Sequence, residues 1–289
     1  MARSLTKTFL SLTALSLASL ASPIAKHAMA QEAELPPSQC MAIAQNIGDD
    51  FPVMFASMSA NPLDTISEND TVGFKFEGHS TWRITTPEGV TIATDFSGSY
   101  GANPAPRVIT MNRAHSTHYT LNPDPAIEVV LPGWDNVDPR GIDHDVVVDD
   151  VYIRNVATDI RSWGGDMMVN ANSIFIFETA GLCIGHMGHL HHPLTEDHFA
   201  EIGRLDVVMV PVDGGLTLSH AAMADLTNRL RSSVVLPMHL RGRSISSFTS
   251  MMGSNWAVDF LEGDTLELSI RTLPRQPTIM VPISLSVRG

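Results

Sequence analysis

The sequence predicts an α/β protein in which two mixed β-sheets pack against each other with helices outside. Three observations lead there. The first half carries short β-branched runs broken by Gly and Pro-Glu-Gly turn signals. The second half alternates apolar strand with capped helix, and no internal repeat or low-complexity tract interrupts the pattern.

In order, TVGFKF (71–76), STWRITT (80–86) and VTIATD (90–95) read as strands, followed by RVITM (107–111), IEVVLP (127–132), DVVVDDVYIRNV (145–156) and SIFIFETA (173–180). Thr195 is a good N-cap, with Glu196 and Asp197 in the first turn and Gly203 ending a short helix. DVVMVPV (206–212) is a buried strand. Ser219 caps a second helix whose Met223, Leu226 and Leu230 share one face. VVLPM (234–238) is the next buried strand, and 257–283 supplies further strand-like pieces. A short helical stretch is expected around Cys40 to Gln45.

Residues 1–30 carry the marks of export. Arg3 and Lys7 precede Phe9 to Leu20, an apolar and small-residue run too short to span a bilayer comfortably. Ala28-Met29-Ala30 gives the small-x-small pattern that signal peptidase cuts, which places the mature start at Gln31. We therefore expect a signal peptide over 1–30, an N-terminal extension over 31–70 and one large domain over 71–289. The protein is expected to be periplasmic or secreted, with no membrane span once processed. Losing Arg3, Lys7 and Lys26 and no acid moves the net charge from −13 to −16. So acidic a surface repels phosphodiester backbones and anionic headgroups, which argues against nucleic acid as a substrate. The sequence sets no oligomeric state. Cys40 and Cys183 are the only cysteines. One disulfide tying the N-terminal segment to the core and two buried free thiols both fit.

The chain has twelve histidines, and their positions carry the functional argument. His115 and His118 follow the strand RVITM. His186, His189, His191 and His192 crowd GHMGHLHH after a strand ending in Cys183-Ile184. His239 follows VVLPM. Three clusters at the carboxyl ends of apolar strands lie where α/β folds build their sites, and imidazoles so grouped point to a metal. A lone histidine would read as a hydrogen-bonded core or surface group, and His144, His198 and His220 are expected at the surface.

The segment GHSTWRITTPEGVTIATDFSG resembles the opening of the metallo-β-lactamase superfamily, in the branch of the L-ascorbate-6-phosphate lactonase-like zinc-dependent hydrolases. His79 and Asp95 occupy matching positions. The resemblance continues through RVITMNRAHSTH, NSIFIFETAGLCIGHMGHLHH, LDVVMVPVDGG and VVLPMHL, about residues 71–241. It implies a four-layer αβ/βα sandwich with a metal site at the sheet ends. The superfamily motif is His-x-His-x-Asp-His. Aligning its last two histidines on His115 and His118 puts Arg113 in place of the first and Thr117 in place of the Asp. His189 stands where the branch has a bridging Asp, and Thr158-Asp159-Ile160 offers no His where the branch has Thr-x-His.

These departures set the expected chemistry. One site is left with His115 alone and an added Arg113. The other keeps His118, His189 and His239, a three-imidazole set suited to one Zn2+ with a position left for water, whose pKa such an ion lowers to about 7. His186 is either a spare ligand or a core imidazole, and His79 either lines the pocket or is hydrogen-bonded at a turn. Asp95 is expected to orient a ligand from behind. Asp213, in PVDGG, fits an acid, a ligand or a turn residue. Arg113 fits either a grip on a substrate anion or a salt bridge to Asp95. The reading is an exported, metal-dependent hydrolase of a small ester, lactone or amide, anionic where Arg113 holds it. Its rivals are a catalytically silent binder of metal or small anions that keeps the fold, and a zinc buffer built on the His189–His192 run.

Overall fold

Two sheets follow from two kinds of strand. The computed structural model describes residues 38–41, 70–135, 138, 140–162, 164–240 and 244–286. The proposed signal peptide, most of the extension and most of the Cys40 to Gln45 stretch lie outside them. A six-stranded sheet is built from β1 (Val72–Gly78), β2 (Thr81–Thr85), β3 (Thr91–Ala93), β4 (Val108–Met111), β5 (Val129–Pro132) and β13 (Thr265–Leu268), in the order β13-β1-β2-β3-β4-β5. In β1 the alternation sends Val72, Phe74 and Phe76 inward. The second sheet has eight strands, β12 (Ala257–Phe260), β14 (Thr278–Val281), β11 (Val234–Met238), β10 (Val207–Pro211), β9 (Leu182–His186), β8 (Met167–Thr179), β7 (Val151–Arg161) and β6 (Asp145–Val148), in that order. Its parallel strands β9, β10 and β11 are buried at every position, as strands covered on both faces must be. A continuous apolar core joins the sheets, with Phe74, Trp82 and Ile84 from one and Phe175, Phe177 and Ile184 from the other.

The helices are few. α1 (Glu196–Ile202) packs on β7, α2 (His220–Leu230) on β10, and α3 (Ser244–Met252) on α2, while α4 (Ile283–Ser286) is a single turn. Thr195 caps α1 by accepting from the amide of His198, whose ring accepts from the Thr195 amide in return, and Ser219 caps α2 by accepting from Ala222. The run DVVVDDVYIRNV divides into β6 and β7 because Asp149 takes a left-handed turn (φ 47°). α3 had no clear signal in the sequence: in SISSFTSMM four serines and a threonine, whose side chains compete for the backbone, outnumber the helix-forming Met251 and Met252.

Cys40 and Cys183 form a disulfide that ties the described N-terminal segment to β9. Glu178 reinforces it, accepting from Ser38 Oγ (2.5 Å), the Gln39 amide (2.8 Å) and Arg154 Nε (3.0 Å). Among the described residues no helix is long and apolar enough to cross a membrane.

Candidate metal centre

The histidines converge where both sheets end. β4 releases the loop carrying His115 and His118, β9 the loop carrying His189, and β11 leads straight into His239. One nitrogen from each of these four rings lies within 4.8 Å of the others. His118, His189 and His239 are buried, and His115 is half-buried. His239 adopts φ 54°, and its amide donates to the His79 carbonyl (2.7 Å), which ties β11 to the turn after β1.

Each ring is held by the nitrogen facing away from the cluster. His118 Nδ1 donates to Asp95 Oδ2 (2.8 Å) and His239 Nδ1 donates to Asp213 Oδ2 (3.0 Å). An ionised carboxylate only accepts, so each Nδ1 carries a proton, and in the neutral ring the lone pair falls on Nε2. Those two Nε2 atoms are buried without a hydrogen-bond partner among the described residues. Carboxylate behind, bare nitrogen in front, is how a metal-ligating imidazole is oriented. Burial pushes both carboxyls up, but their imidazole partners outweigh it. For Asp95 the charge and hydrogen bond of His118, then His186 and Asn112, leave it well below the usual carboxylate range. For Asp213 the bonds from His239 and Thr217 do the same.

His189 is held differently. The Arg161 amide donates to His191 Nδ1 (2.6 Å), so His191 carries its proton on Nε2 and donates to His189 Nδ1 (2.9 Å). His189 Nε2 then lies 3.1 Å from His115 Nε2. Because His189 Nδ1 accepts, the neutral ring carries its proton on Nε2 and donates to His115 Nε2, so His189 ligates an ion through Nε2 only once that proton leaves or the bond from His191 is given up. His115 Nδ1 donates to Thr117 Oγ1 (2.7 Å), which in turn reaches His79 Nε2 (3.0 Å). Thr117 thus serves the ring network. Desolvation, then neighbouring imidazoles, lowers His79 to about 3 and His115 to about 4, and keeps His189 far below the usual histidine value. These rings are neutral at pH 7, as metal ligands must be.

The remaining candidates are placed as follows. His79 packs its ring 4.3 Å from that of His239, beside the cluster. His186 stands apart from the four: its Nε2 donates to the Ser80 carbonyl (2.9 Å) and its Nδ1 accepts from the Gly188 amide (3.1 Å). Asp213 also accepts from the amides of Gly215 (2.9 Å), Leu216 (2.5 Å) and Thr217 (2.9 Å), so it shapes the turn and holds His239 at once. Arg113 is exposed, and the Asp95 carboxylate is engaged by Asn112 (2.7 Å) and His118. Asp159 sits at a register shift in β7 and accepts from the Asn170 amide (2.9 Å). His144, expected at the surface, is half-buried, stacked on Phe175 and donating to the Pro132 carbonyl.

Sequence reasoning gave no role to Arg161 and placed His191 only in the histidine cluster and the zinc-buffer run. Both border a cavity of about 570 Å³ that also touches His115, His189, Gly215 and Leu216. The sequence signal for His191 was its place two residues after His189, since side chains two apart on extended backbone share a side. Arg161 had none.

Two packed sheets with imidazoles gathered at their strand ends, two of them held by carboxylates and two bordering a cavity, define a metallo-hydrolase scaffold. Residues 74–239, more than half the chain, match the family model of the beta-lactamase superfamily domain, and the chain belongs to that family. Its fold is similar to that of a Thermotoga maritima protein assigned as a Zn-dependent hydrolase of the metallo-beta-lactamase superfamily. The identity is 25%, with 73% of this chain and 97% of that one covered at a TM-score of 0.53. A Parabacteroides distasonis protein assigned as a metal-dependent hydrolase shares the fold at 12% identity, over 63% of this chain and 89% of that one, with a TM-score of 0.50. No curated protein matches the chain in sequence.

Proposed function

We propose that the protein is an exported hydrolase of a small ester, lactone or amide. It works with one zinc-type ion held by His118, His189 and His239, with His115 as a fourth, replaceable donor. The observation that carries this is the pair of buried, unpartnered Nε2 atoms on His118 and His239. Leaving such a group bare costs about 1–3 kcal/mol, which coordination offsets. When bound, the ion supplies Lewis acidity and activates water near neutral pH. Asp95 and Asp213 keep the two rings in the donating tautomer, and their charges offset a divalent cation. The neighbouring cavity, at about 570 Å³, has the size of a small-molecule site. Export is supported by the n-region, apolar run and cleavage pattern of residues 1–30, and by a disulfide that suits an oxidising compartment.

One observation favours the silent metal-binding reading. Four imidazoles fill a tetrahedral shell, which is the mark of a closed, structural site. Elemental analysis, paired with a panel of aryl esters, lactones and amides, separates the two. We expect close to one ion per chain, and turnover that disappears on chelation and in His239→Ala but survives in His198→Ala. A tightly held ion without turnover on any compound selects the binding protein. Wild-type metal content in each of His118→Ala, His189→Ala and His239→Ala would falsify the site.

A further inference from the structure

We infer that Arg161 makes the cavity beside the histidines selective for ligands bearing a carboxylate, so that the preferred substrate is a small acyl compound carrying a negative charge. This rests on that cavity being the working site of the proposed hydrolase. The chain has 31 acidic against 18 basic residues, yet no Asp or Glu lines this cavity. Arg161 closes β7 and is exposed at the cavity wall. Its Nη2 donates to the carbonyls of Gly215 (3.5 Å), Leu216 (3.3 Å) and Thr217 (3.2 Å). These long contacts steady the guanidinium without neutralising it, and among the described residues no carboxylate pairs with it.

Asp213 already accepts from three amides of the same turn, from Thr217 Oγ1 (2.6 Å) and from His239. With an ion bound, Asp95 and Asp213 would balance its charge, which would leave the guanidinium as surplus positive charge at the cavity wall. A planar fork of donors matches a carboxylate. The amide of the same residue fixes His191 behind His189, so one residue sets the distance between the charge and the imidazoles. Leu216, 41% exposed, supplies an apolar wall for a short chain. Arg113, the cation the sequence singled out, is not among the residues lining this cavity.

Calorimetric titration of the full protein as purified, with hexanoate and with its neutral isostere hexanamide, tests the assignment. Wild type and Arg113→Gln should prefer hexanoate by about 10-fold or more, as a charge-assisted fork implies. Arg161→Gln should bring the ratio near one with metal content unchanged, and Arg161→Lys should keep part of the preference because it keeps the charge. Equal affinity for the two compounds in wild type, or a full preference surviving in Arg161→Gln, overturns the assignment. The readout is binding, so a protein that holds hexanoate through Arg161 but turns nothing over refutes the hydrolase and leaves this inference standing.

Discussion

Four rings meet in the cluster, and each depends on a different neighbour for its state. His118 and His239 lean on carboxylates, His115 on the Thr117 hydroxyl and His189 on the His191 ring. Burial and the neighbouring charges keep His79, His115 and His191 neutral near pH 7. Burial, then the charges of His239 and His118, lowers His79 to about 3. Burial, then His118 and His239, lowers His115 to about 4, and burial, then Arg161 and His192, lowers His191 to about 4. The unfolded chain titrates these groups near 6.5, so between about 6.5 and 4 it binds protons that the folded protein refuses. Stability is therefore full above about 6.5 and is lost as the pH falls toward 4. Asp95 and Asp213 add a lower window, stabilising above the ordinary value of 3.8 and failing as the pH drops below it. Urea midpoints of the chelated protein should be level near neutrality and fall steadily below about pH 6.5. Replacing His115 with Gln should flatten part of that slope. Midpoints that ignore pH across this window would mean the rings are not held neutral.

At the scale of elements, the cluster depends on how the loop after β9 turns under the sheet. Gly188 sits there at φ 59°, and a Cβ added to it would strike Asn172 Oδ1 and lie 2.5 Å from Asn112 Nδ2. Neither amide can yield freely. Asn172 Oδ1 accepts from the His189 amide (2.7 Å), and Asn112 holds Asp95 through Nδ2 and the Ser173 amide through Oδ1 (2.7 Å). Left-handed strain alone costs about 1–3 kcal/mol in a non-glycine residue. Gly188→Ala should therefore lose at least that much stability and much of its metal. Gly215→Ala, with nothing near its Cβ and no positive φ, should stay within about 0.5 kcal/mol of wild type. Equal denaturation midpoints for the two variants would show that the turn does not position His189. The sequence reveals much at this scale, because strand ends, caps and buried runs are local signals: Thr195, Ser219, VVLPM and the three histidine groups could all be read directly. Gly188 and the two asparagines could not, since their roles exist only once β4, β8 and β9 lie together. Arg161 escapes for the same reason, because it reaches the 215–217 turn, and so does the bond from His191 to the far nitrogen of His189.

Across the whole molecule, the site is a seam. His115, His118 and Asp95 come from the six-stranded sheet, while His189, Asp213 and His239 come from the eight-stranded one. A metal held by both sets ties the sheets together in the folded state and finds no such arrangement in the unfolded chain. Binding is then a stability term that grows with free metal, about 2.7 kcal/mol when the metal stands at 100 times its dissociation constant. Chemical denaturation near neutral pH with graded free zinc measures it. The midpoint should rise with zinc at constant denaturant slope, while His239→Ala, which removes one donor and its bond to Asp213, should lose most of the effect. If His239→Ala gains as much as wild type, the ion sits on the His189–His192 run and the zinc-buffer reading prevails. If neither protein responds although elemental analysis finds bound zinc, the ion binds folded and unfolded chains alike and cannot be a seam ligand.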